Sequence, residues 1–311
     1  MSDRNKAYLA LLLTALIWGL ASPIIKYSLK FTSPLSFLFY RFLIVSCIFI
    51  IPLLIRIKKI KPKLDEIIKY LTMGFLGAPL TLFLLFSGLS RTQAVSASII
   101  SLFTPVLIVL GGFLLLKEKV EKREKKGIFL ILIGVSLNII EPLFRKSVNT
   151  ENNLLGNVLI FLGSLSWVTF SLWRRKEGGN LDSFFLSAVS FLLGLFFLLP
   201  YFLIHRSLFT VHPNAIPGIL YMSILGSVVA YFTYIYGFSK IEASEATLFT
   251  YLEPIFAIPT AIIFLKEKIS PLFLLSAIII VFGIFVANLR QTFPQKRQKR
   301  ESIELKGSFK V

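Results

Sequence analysis

Two stretches of the sequence share one design, FTPVLIVLGGFLLLKEK at residues 103–119 and YLEPIFAIPTAIIFLKEK at residues 251–268. Each is a long apolar run that ends in Leu-Lys-Glu-Lys, and the two copies of this group begin at Leu116 and Leu265, 149 residues apart. An apolar run of about twenty residues is long enough to cross roughly 30 Å of hydrocarbon. Similar runs fill most of the chain, so the sequence predicts an all-α polytopic membrane protein.

The amino-acid composition argues against a soluble protein. Of the 311 residues, 55% are hydrophobic and 16% are charged, which is more apolar surface than a soluble domain of this length can bury. The formal net charge is +18, and most of the Lys and Arg residues lie in short loops and in the tail 291–311. Such charge orients a membrane protein and attracts anionic headgroups, so we expect contact with the lipid bilayer and no nucleic-acid binding.

The sequence lacks the residues that several classes of site require. The single cysteine, Cys47, excludes a disulfide within the chain, and His205 and His212 belong to no Cys/His cluster, so we expect no metal and no cofactor. There is no G-x-x-x-x-G-K-[ST] loop of the kind found in ATP-driven pumps. The loops hold no constellation of nucleophile, base and paired carboxylates, and we therefore do not expect an enzyme.

The apolar runs predict ten membrane helices with both termini in the cytoplasm. With this orientation the inner segments hold 25 Lys and Arg residues and the outer loops hold eight, as the positive-inside rule requires. We expect a multi-pass protein of the cell (inner) membrane. The predicted spans are 7–29, 34–56, 67–90, 93–116, 127–144, 154–173, 183–204, 216–238, 243–265 and 270–289.

The chain contains an internal duplication. At an offset of 149 residues, Gly, Ser, Pro and the charged triplet of one half meet the same residues of the other, and Trp18 meets Trp167. We predict an N-terminal end at 1–6, one five-helix repeat at 7–146, a connecting loop at 147–153, a second repeat at 154–290 and a basic cytoplasmic tail. Because five is odd, the second repeat is inverted relative to the first. Inverted repeats are typical of alternating-access transporters, whose substrate site lies near the midplane.

The first span contains Trp18-Gly19, spans four and nine contain Pro105 and Pro254, and the acidic helix ends Glu118 and Glu267 are followed about sixteen residues on by Gly134 and Gly283. Together with the ten spans and the inverted repeats, these residues resemble the EamA family of the drug/metabolite transporter superfamily. The resemblance covers residues 7–290 and implies a carrier of amino acids, other small metabolites or drugs. The second half has Val168 in place of a second Trp-Gly glycine, which departs from strict symmetry.

Two charged residues lie well inside predicted spans, away from the span ends. Glu253 precedes Pro254 about ten residues into span nine, and we interpret it as a proton-coupling or cation-binding group; the alternative is a protonated glutamate that is hydrogen-bonded across helices. Its counterpart, Thr104, is uncharged. Arg41 in span two is either a structural cation or the ligand of a substrate carboxylate, which its guanidinium fork suits, and Glu253 is its candidate partner.

Aromatic and hydroxyl residues complete the predicted substrate-binding set. Each has the alternative role of ordinary helix packing, because aromatic residues are abundant throughout the chain. An aromatic cavity suits an apolar or aromatic solute. The full set is Trp18, Ser22, Arg41, Thr104, Trp167, Tyr231, Tyr234 and Tyr251.

The functional hypothesis is a secondary carrier. We expect it to move a small organic metabolite or drug by alternating access, as an exporter and coupled to protons. The alternatives are a lipid flippase or scramblase and a facilitative, channel-like uniporter. The expected partners are the small-molecule substrate and the bilayer, and the expected assembly is a monomer or a homodimer.

Overall fold

The computed structural model describes residues 3–60, 62–116, 122–144, 150–177, 182–205, 209–241 and 248–288. Within these ranges the secondary structure is helical and contains no strand. The helices are α1 Asp3–Ser28, α2 Pro34–Ile60, α3 Leu64–Arg91, α4 Ala94–Leu115, α5 Lys122–Phe144, α6 Thr150–Lys176, α7 Ser183–Ile204, α8 213–240, α9 Phe249–Leu265 and α10 Pro271–Asn288.

The described helices confirm the prediction of an all-α polytopic membrane protein. Eight of them are long and apolar enough to cross a membrane, and α9 and α10 are shorter apolar helices. Helix α2 runs to Ile60, four residues beyond its predicted end. The predicted start of span nine, at 243, and the basic tail, 291–311, lie outside the described residues. Which side of the membrane holds the termini stays a prediction.

Helices α1 and α4 are each interrupted four residues before a proline. A proline ring clashes with the carbonyl group four residues before it, and proline has no backbone N–H to donate a hydrogen bond to that carbonyl oxygen. The first part of α1 ends at Gly19, four residues before Pro23, and the first part of α4 ends at Ser101, four residues before Pro105. In α9, a 3-10 turn at Leu248–Leu252 gives way to α-helix at Glu253, just before Pro254. These breaks place irregular backbone within membrane spans.

The most extensive helix–helix contacts each join a helix of the first half to a helix of the second half, and a two-fold axis relates the two halves. Helix α5 packs on α10, α2 on α7, and α4 on α9, and in each pair the two helices are counterparts in the duplication. Helix α1 packs on α8, while their counterparts α6 and α3 pack on each other. The bundle is therefore built by pairing each helix of one half with a helix of the other.

Glycine contacts between α5 and α10 show that the halves are inverted. A Cβ atom at Gly134 would lie 2.6 Å from Cγ1 of Ile280, and one at Gly283 would lie 2.7 Å from Cγ1 of Ile131. Adding 149 to 131 and 134 gives 280 and 283, so the contact is the same when seen from either half. Because Gly127 of α5 lies against Gly283 and Gly134 lies against the more N-terminal Ser276, the two helices run antiparallel.

Helix starts follow the same symmetry. The Ser33 hydroxyl accepts a hydrogen bond of 3.0 Å from the backbone N–H of Ser36 at the start of α2. A carboxylate oxygen of Asp182 accepts one of 2.7 Å from the N–H of Phe185 at the start of α7. Ser33 and Asp182 are 149 residues apart, and both provide the side-chain oxygen that an N-terminal cap requires.

The outer surface of the bundle is strongly apolar. Large hydrophobic side chains are exposed along whole helices, as on α10, where Ile278, Phe282 and Phe285 each expose more than half of their surface. In a soluble protein such patches would be a liability, but they suit contact with lipid tails. Phenylalanines at 37, 42, 86 and 103 are buried between the helices.

Candidate functional site

A small cavity lies where helices of the two halves meet. Helix α1 of the first half forms one wall, and α8 and α9 of the second half form the others. The cavity combines a carboxyl group, hydroxyl groups and aromatic rings in otherwise apolar surroundings, and its free volume of about 10 Å³ is closer to that of one water molecule than to that of an organic solute. Its lining residues are Leu11, Thr14, Ala15, Tyr234, Phe249, Thr250 and Glu253.

Gly19 positions Glu253 by allowing close contact between α1 and α9. A Cβ atom at Gly19 would lie 2.6 Å from the carbonyl oxygen of Glu253 and 2.9 Å from Cβ of Phe256. Both are closer than real Cβ contacts allow, so any side chain at position 19 would push the helices apart. This explains the Trp-Gly pair in physical terms, and it explains why Val168 and Thr104, the counterparts of Gly19 and Glu253, do not form a second copy of the site.

Trp18 forms the next layer beside the cavity. Its Nε1–H donates a 3.0 Å hydrogen bond to the carbonyl oxygen of Gly226. Gly226 belongs to the π-helical segment Tyr221–Val229 of α8, where the ordinary helical bonding is displaced. The indole ring of Trp18 lies 5.3 Å from the ring of Tyr234, which lines the cavity. Trp18 thus fixes the position of Tyr234 relative to α1.

Thr14 is a lining residue that the sequence analysis missed. Its hydroxyl shares a 2.7 Å hydrogen bond with the hydroxyl of Thr233 and also bonds to the carbonyl oxygen of Ala10 one turn earlier. These contacts tie α1 to α8 at the depth of the cavity. In the sequence, Thr14 is noticeable only as a single threonine in an apolar span. Such a threonine commonly donates a hydrogen bond to a carbonyl group of its own helix, so its presence does not indicate a functional role.

Arg41 lies outside the cavity, in a separate buried position between α2, α3 and α8. It is 5% exposed, and its Nε–H donates a 3.0 Å hydrogen bond to the hydroxyl of Ser227. Its guanidinium carbon is 5.8 Å from the ring centre of Phe86. Among the described residues, Nη1 has no hydrogen-bond partner, and no ion pair joins Arg41 to Glu253.

The other residues of the predicted substrate-binding set are spread over the bundle. Trp167 is 36% exposed and packs on Phe170, with ring centres 5.2 Å apart, while the hydroxyl of Tyr231 accepts a hydrogen bond from Ser187. Ser22, Thr104 and Tyr251 are each half-buried, and Tyr251 packs against the main core. The cavity therefore brings together Tyr234 and Glu253, with Trp18 beside them.

Charged groups form a second arrangement at the far ends of α1 and α9. The carboxylate of Glu267 accepts hydrogen bonds from the backbone N–H groups of Ala94 and Val95, at 2.8 and 2.9 Å. The ammonium of Lys26 donates to the carbonyl oxygens of Leu89 and Ser90, at 2.8 and 3.2 Å. Burial raises the pKa of Glu267 above its usual range, although these N–H groups and the charges of Lys26 and Lys30 act in the opposite direction.

Ion pairs mark the opposite end of the bundle. The ammonium of Lys69 lies 2.7 Å from the carboxylate of Glu177 and links α3 to the end of α6. This hydrogen bond lowers the pKa of Glu177. Arg56 of α2 pairs with Asp182. Within the described residues there is no group of three or more His, Cys, Asp or Glu side chains that could hold a metal ion.

A protein-family profile decides the family. The profile of the EamA-like transporter family matches the chain twice, at residues 5–140 and 154–289. The chain belongs to the EamA-like transporter family. The two matches begin and end 149 residues apart, which confirms the duplication inferred from the sequence. This membership makes the chain a multi-pass membrane transporter.

Relatives of this EamA-like protein carry the same general description. An uncharacterized transporter of Archaeoglobus fulgidus is 28% identical over 289 residues, which are 92% of this chain and 99% of the relative. The uncharacterized transporter YvbV of Bacillus subtilis is 29% identical over 308 residues, 97% of each chain. The uncharacterized transporter YetK of Bacillus subtilis is 28% identical over 82% of this chain and 78% of its own length.

A solved crystal structure has the same fold as this EamA-like protein. It aligns with a TM-score of 0.65 and 17% sequence identity, and the alignment covers 92% of this chain and 98% of the other. At this identity the likeness shows the fold alone. The ten-helix bundle described above is thus a fold known from experiment.

Proposed function

We propose that this EamA-like transporter is a secondary active carrier that moves a small organic metabolite or drug by alternating access, as an exporter coupled to protons. The observation that carries the proposal is the position of Glu253, in a cavity built by helices from both halves. A site shared by two inverted halves is exposed to opposite sides when one half tilts against the other.

The breaks in α1 and α9 support such a movement. Gly19 ends the first part of α1, and its contact with Glu253 joins this break to the start of α-helix in α9. Broken helices in transporters expose backbone groups to the substrate and permit their two parts to move separately. Here the two breaks touch each other beside the cavity.

Glu253 is the group that we propose couples transport to protons. An ionised carboxylate inside a membrane protein costs several kcal/mol unless it is paired. Among the ion pairs of the described residues none involves Glu253, and Arg41 bonds to Ser227 instead. A carrier whose carboxyl group gains and loses a proton as it faces each side would link solute movement to the proton gradient.

The lining of the cavity favours a solute with apolar or aromatic parts. Tyr234, Phe249 and Leu11 provide the apolar surface, and Thr14 and Thr250 provide hydroxyl groups. An amino acid or a similar metabolite with a hydrophobic side chain matches the chemistry of this lining, and the cavity, about 10 Å³ in this structure, would have to widen to admit it.

The test is metabolite profiling of bacteria that express the native protein, the Glu253→Gln variant or an empty vector. We expect specific solutes to accumulate in the medium with the native protein and to fall to the vector level with Glu253→Gln. The matched control is Glu151→Gln, because Glu151 is an exposed carboxylate at the start of α6, and this variant should export like the native protein.

Each remaining outcome rejects part of the proposal. Equal export by the native protein and Glu253→Gln would make Glu253 a structural residue. Native medium identical to the vector medium would overturn the exporter. Movement of labelled lipid in vesicles that contain the protein but no solute gradient would favour a lipid flippase or scramblase.

A further inference from the structure

A residue of the second half, Glu267, contacts the turn between helices α3 and α4 of the first half. Residues 92–93 connect α3 to α4, and with the adjoining helix ends they form the segment 89–95. We call it the α3–α4 turn, and we call the contacts of Glu267 and Lys26 with it the turn clamp. The clamp lies at the opposite end of the bundle from the cavity, because Leu11 and Phe249 lie early in α1 and α9, whereas Lys26 and Glu267 lie at or beyond their ends.

Glu267 supplies a helix cap that the local sequence lacks. The first N–H groups of a helix have no partner within the helix. At the start of α4 the capping position is Gln93, whose side chain makes no capping hydrogen bond. The carboxylate of Glu267 takes this role from the other half of the protein, with one oxygen on Ala94 and the other on Val95. Hydrogen bonds to a charged acceptor are stronger than neutral ones.

Lys26 supplies the complementary cap on the other side of the same turn. The last carbonyl groups of a helix also lack partners, and a cation there is favourable. Lys26 donates to the carbonyl oxygens of Leu89 and Ser90, near the end of α3. The opposite charges of Lys26 and Glu267 attract each other as well. The turn is thus held from both sides by groups that are not part of α3 or α4.

The two clamp residues are connected mechanically to the cavity. Lys26 belongs to the segment Ala21–Ser28, which follows the break after Gly19, and Glu267 follows the helix Glu253–Leu265. These two segments begin where Gly19 touches Glu253. A tilt of either segment at the cavity would therefore move a clamp residue relative to the α3–α4 turn.

We propose that Glu267 and Lys26 are positioning residues of the transport cycle, which hold the α3–α4 turn closed over the end of the transport path opposite the cavity. The inference rests on the alternating-access function proposed above. Release of the turn from Glu267 opens this end, and closure restores both capping contacts. Because Glu267 belongs to the second half and the turn to the first, the contact can separate when the halves move apart.

The test measures the accessibility of a reporter just inside the turn. Cys47 is changed to serine, and Ser96, which is 5% exposed and follows Val95 in α4, is changed to cysteine. A membrane-impermeant maleimide is then added to intact cells and, separately, to inside-out vesicles. The reporter protein should be labelled slowly. Adding Glu267→Ala should speed labelling from one side only by about tenfold, the effect of losing about one net hydrogen bond to a charged group.

Two further variants keep the test decisive. Lys26→Gln removes the other capping group and should also speed labelling, from the same side as Glu267→Ala. Glu151→Gln, with its exposed carboxylate, should leave the rate unchanged. If either clamp variant fails to reach the membrane in normal amounts, the other is read alone. Labelling as slow as in the reporter protein in the clamp variants that insert would overturn the proposal, as would faster labelling from both sides.

The labelling result and the export result can fail separately. Labelling requires no substrate, so an unchanged rate in the clamp variants would reject the clamp even if Glu253→Gln abolishes export. Conversely, faster labelling with no export by the native protein would support the clamp as a structural gate and reject the exporter.

Discussion

At the scale of single residues, the cavity depends on one glycine. Gly19 is the position where α1 and α9 come closest beside Glu253, and a Cβ atom there would meet backbone as well as side chain. Backbone atoms cannot rotate away, so the helices must separate. The contact therefore links a small residue in the first half to the carboxyl group that lines the cavity.

We predict that Gly19→Ala lowers both export and stability. The new methyl group would lie 2.6 Å from the carbonyl oxygen of Glu253, and such overpacking typically costs about 1–3 kcal/mol. The apparent melting temperature in detergent measures the effect. Gly163→Ala is the matched control, because its nearest backbone contact, the carbonyl oxygen of Thr81, would be 3.2 Å away. A melting temperature that falls equally in both variants would contradict the special role of Gly19.

Glu267 gives a prediction about pH. Burial raises its pKa in the closed clamp, so the closed form binds a proton more tightly than a form in which Glu267 is in water. Lowering the pH through the raised pKa of Glu267 therefore favours the closed clamp, and this stabilisation is lost as the pH rises above that pKa. The charged groups that face Glu267 are Lys26 in α1 and Lys30 just beyond its end.

The measurement is the labelling rate of the Ser96→Cys reporter as a function of pH, corrected for the reactivity of a free thiol. The rate should fall on acidification in the otherwise native clamp. Glu267→Gln keeps one carbonyl acceptor but cannot ionise, so its corrected rate should not change with pH. A rate that rises on acidification would show that the sign of this coupling is wrong.

At the scale of helices, the sequence predicts the elements well and their contacts poorly. Ten spans follow from apolar runs because span length is fixed by the thickness of the membrane. The breaks in α1 and α4 follow from Pro23 and Pro105, whose effect on the helix is local. Contacts such as Trp18 with Gly226 join residues about 200 positions apart, and no local pattern specifies them.

The candidate site shows the same division. Glu253 can be selected from the sequence because a carboxyl group deep inside a span is unusual, whereas Tyr234 is one of ten tyrosines and stands out less. Charge alone also suggested Arg41 as the partner of Glu253, but the structure places Arg41 against Ser227 and Phe86. Which side chains converge depends on how the two halves are rotated against each other, and the alternation of apolar and polar residues is too weak in these helices to encode it.

At the scale of the whole molecule, the duplication predicts opposite orientations for equivalent segments. Reporter tags inserted after Lys119 and after Lys268 should face opposite sides of the membrane, since each half has five spans. The assay is the activity of an enzyme tag that folds on one side only. Tags on the same side would contradict the inverted arrangement, while tags on swapped sides would reject only the prediction of cytoplasmic termini.

Gly134 contacts Ile280, and its counterpart Gly283 contacts Ile131 in the same way. Such a contact is isologous, the kind that a two-fold homodimer makes with one surface used twice. In an ancestor made of two identical halves, each substitution on this surface would have changed both sides of the interface at once. Within a single chain that restriction no longer holds, because each half can be substituted independently of the other. The differences between Thr104 and Glu253, and between Val168 and Gly19, are specialisations of the kind that this independence permits.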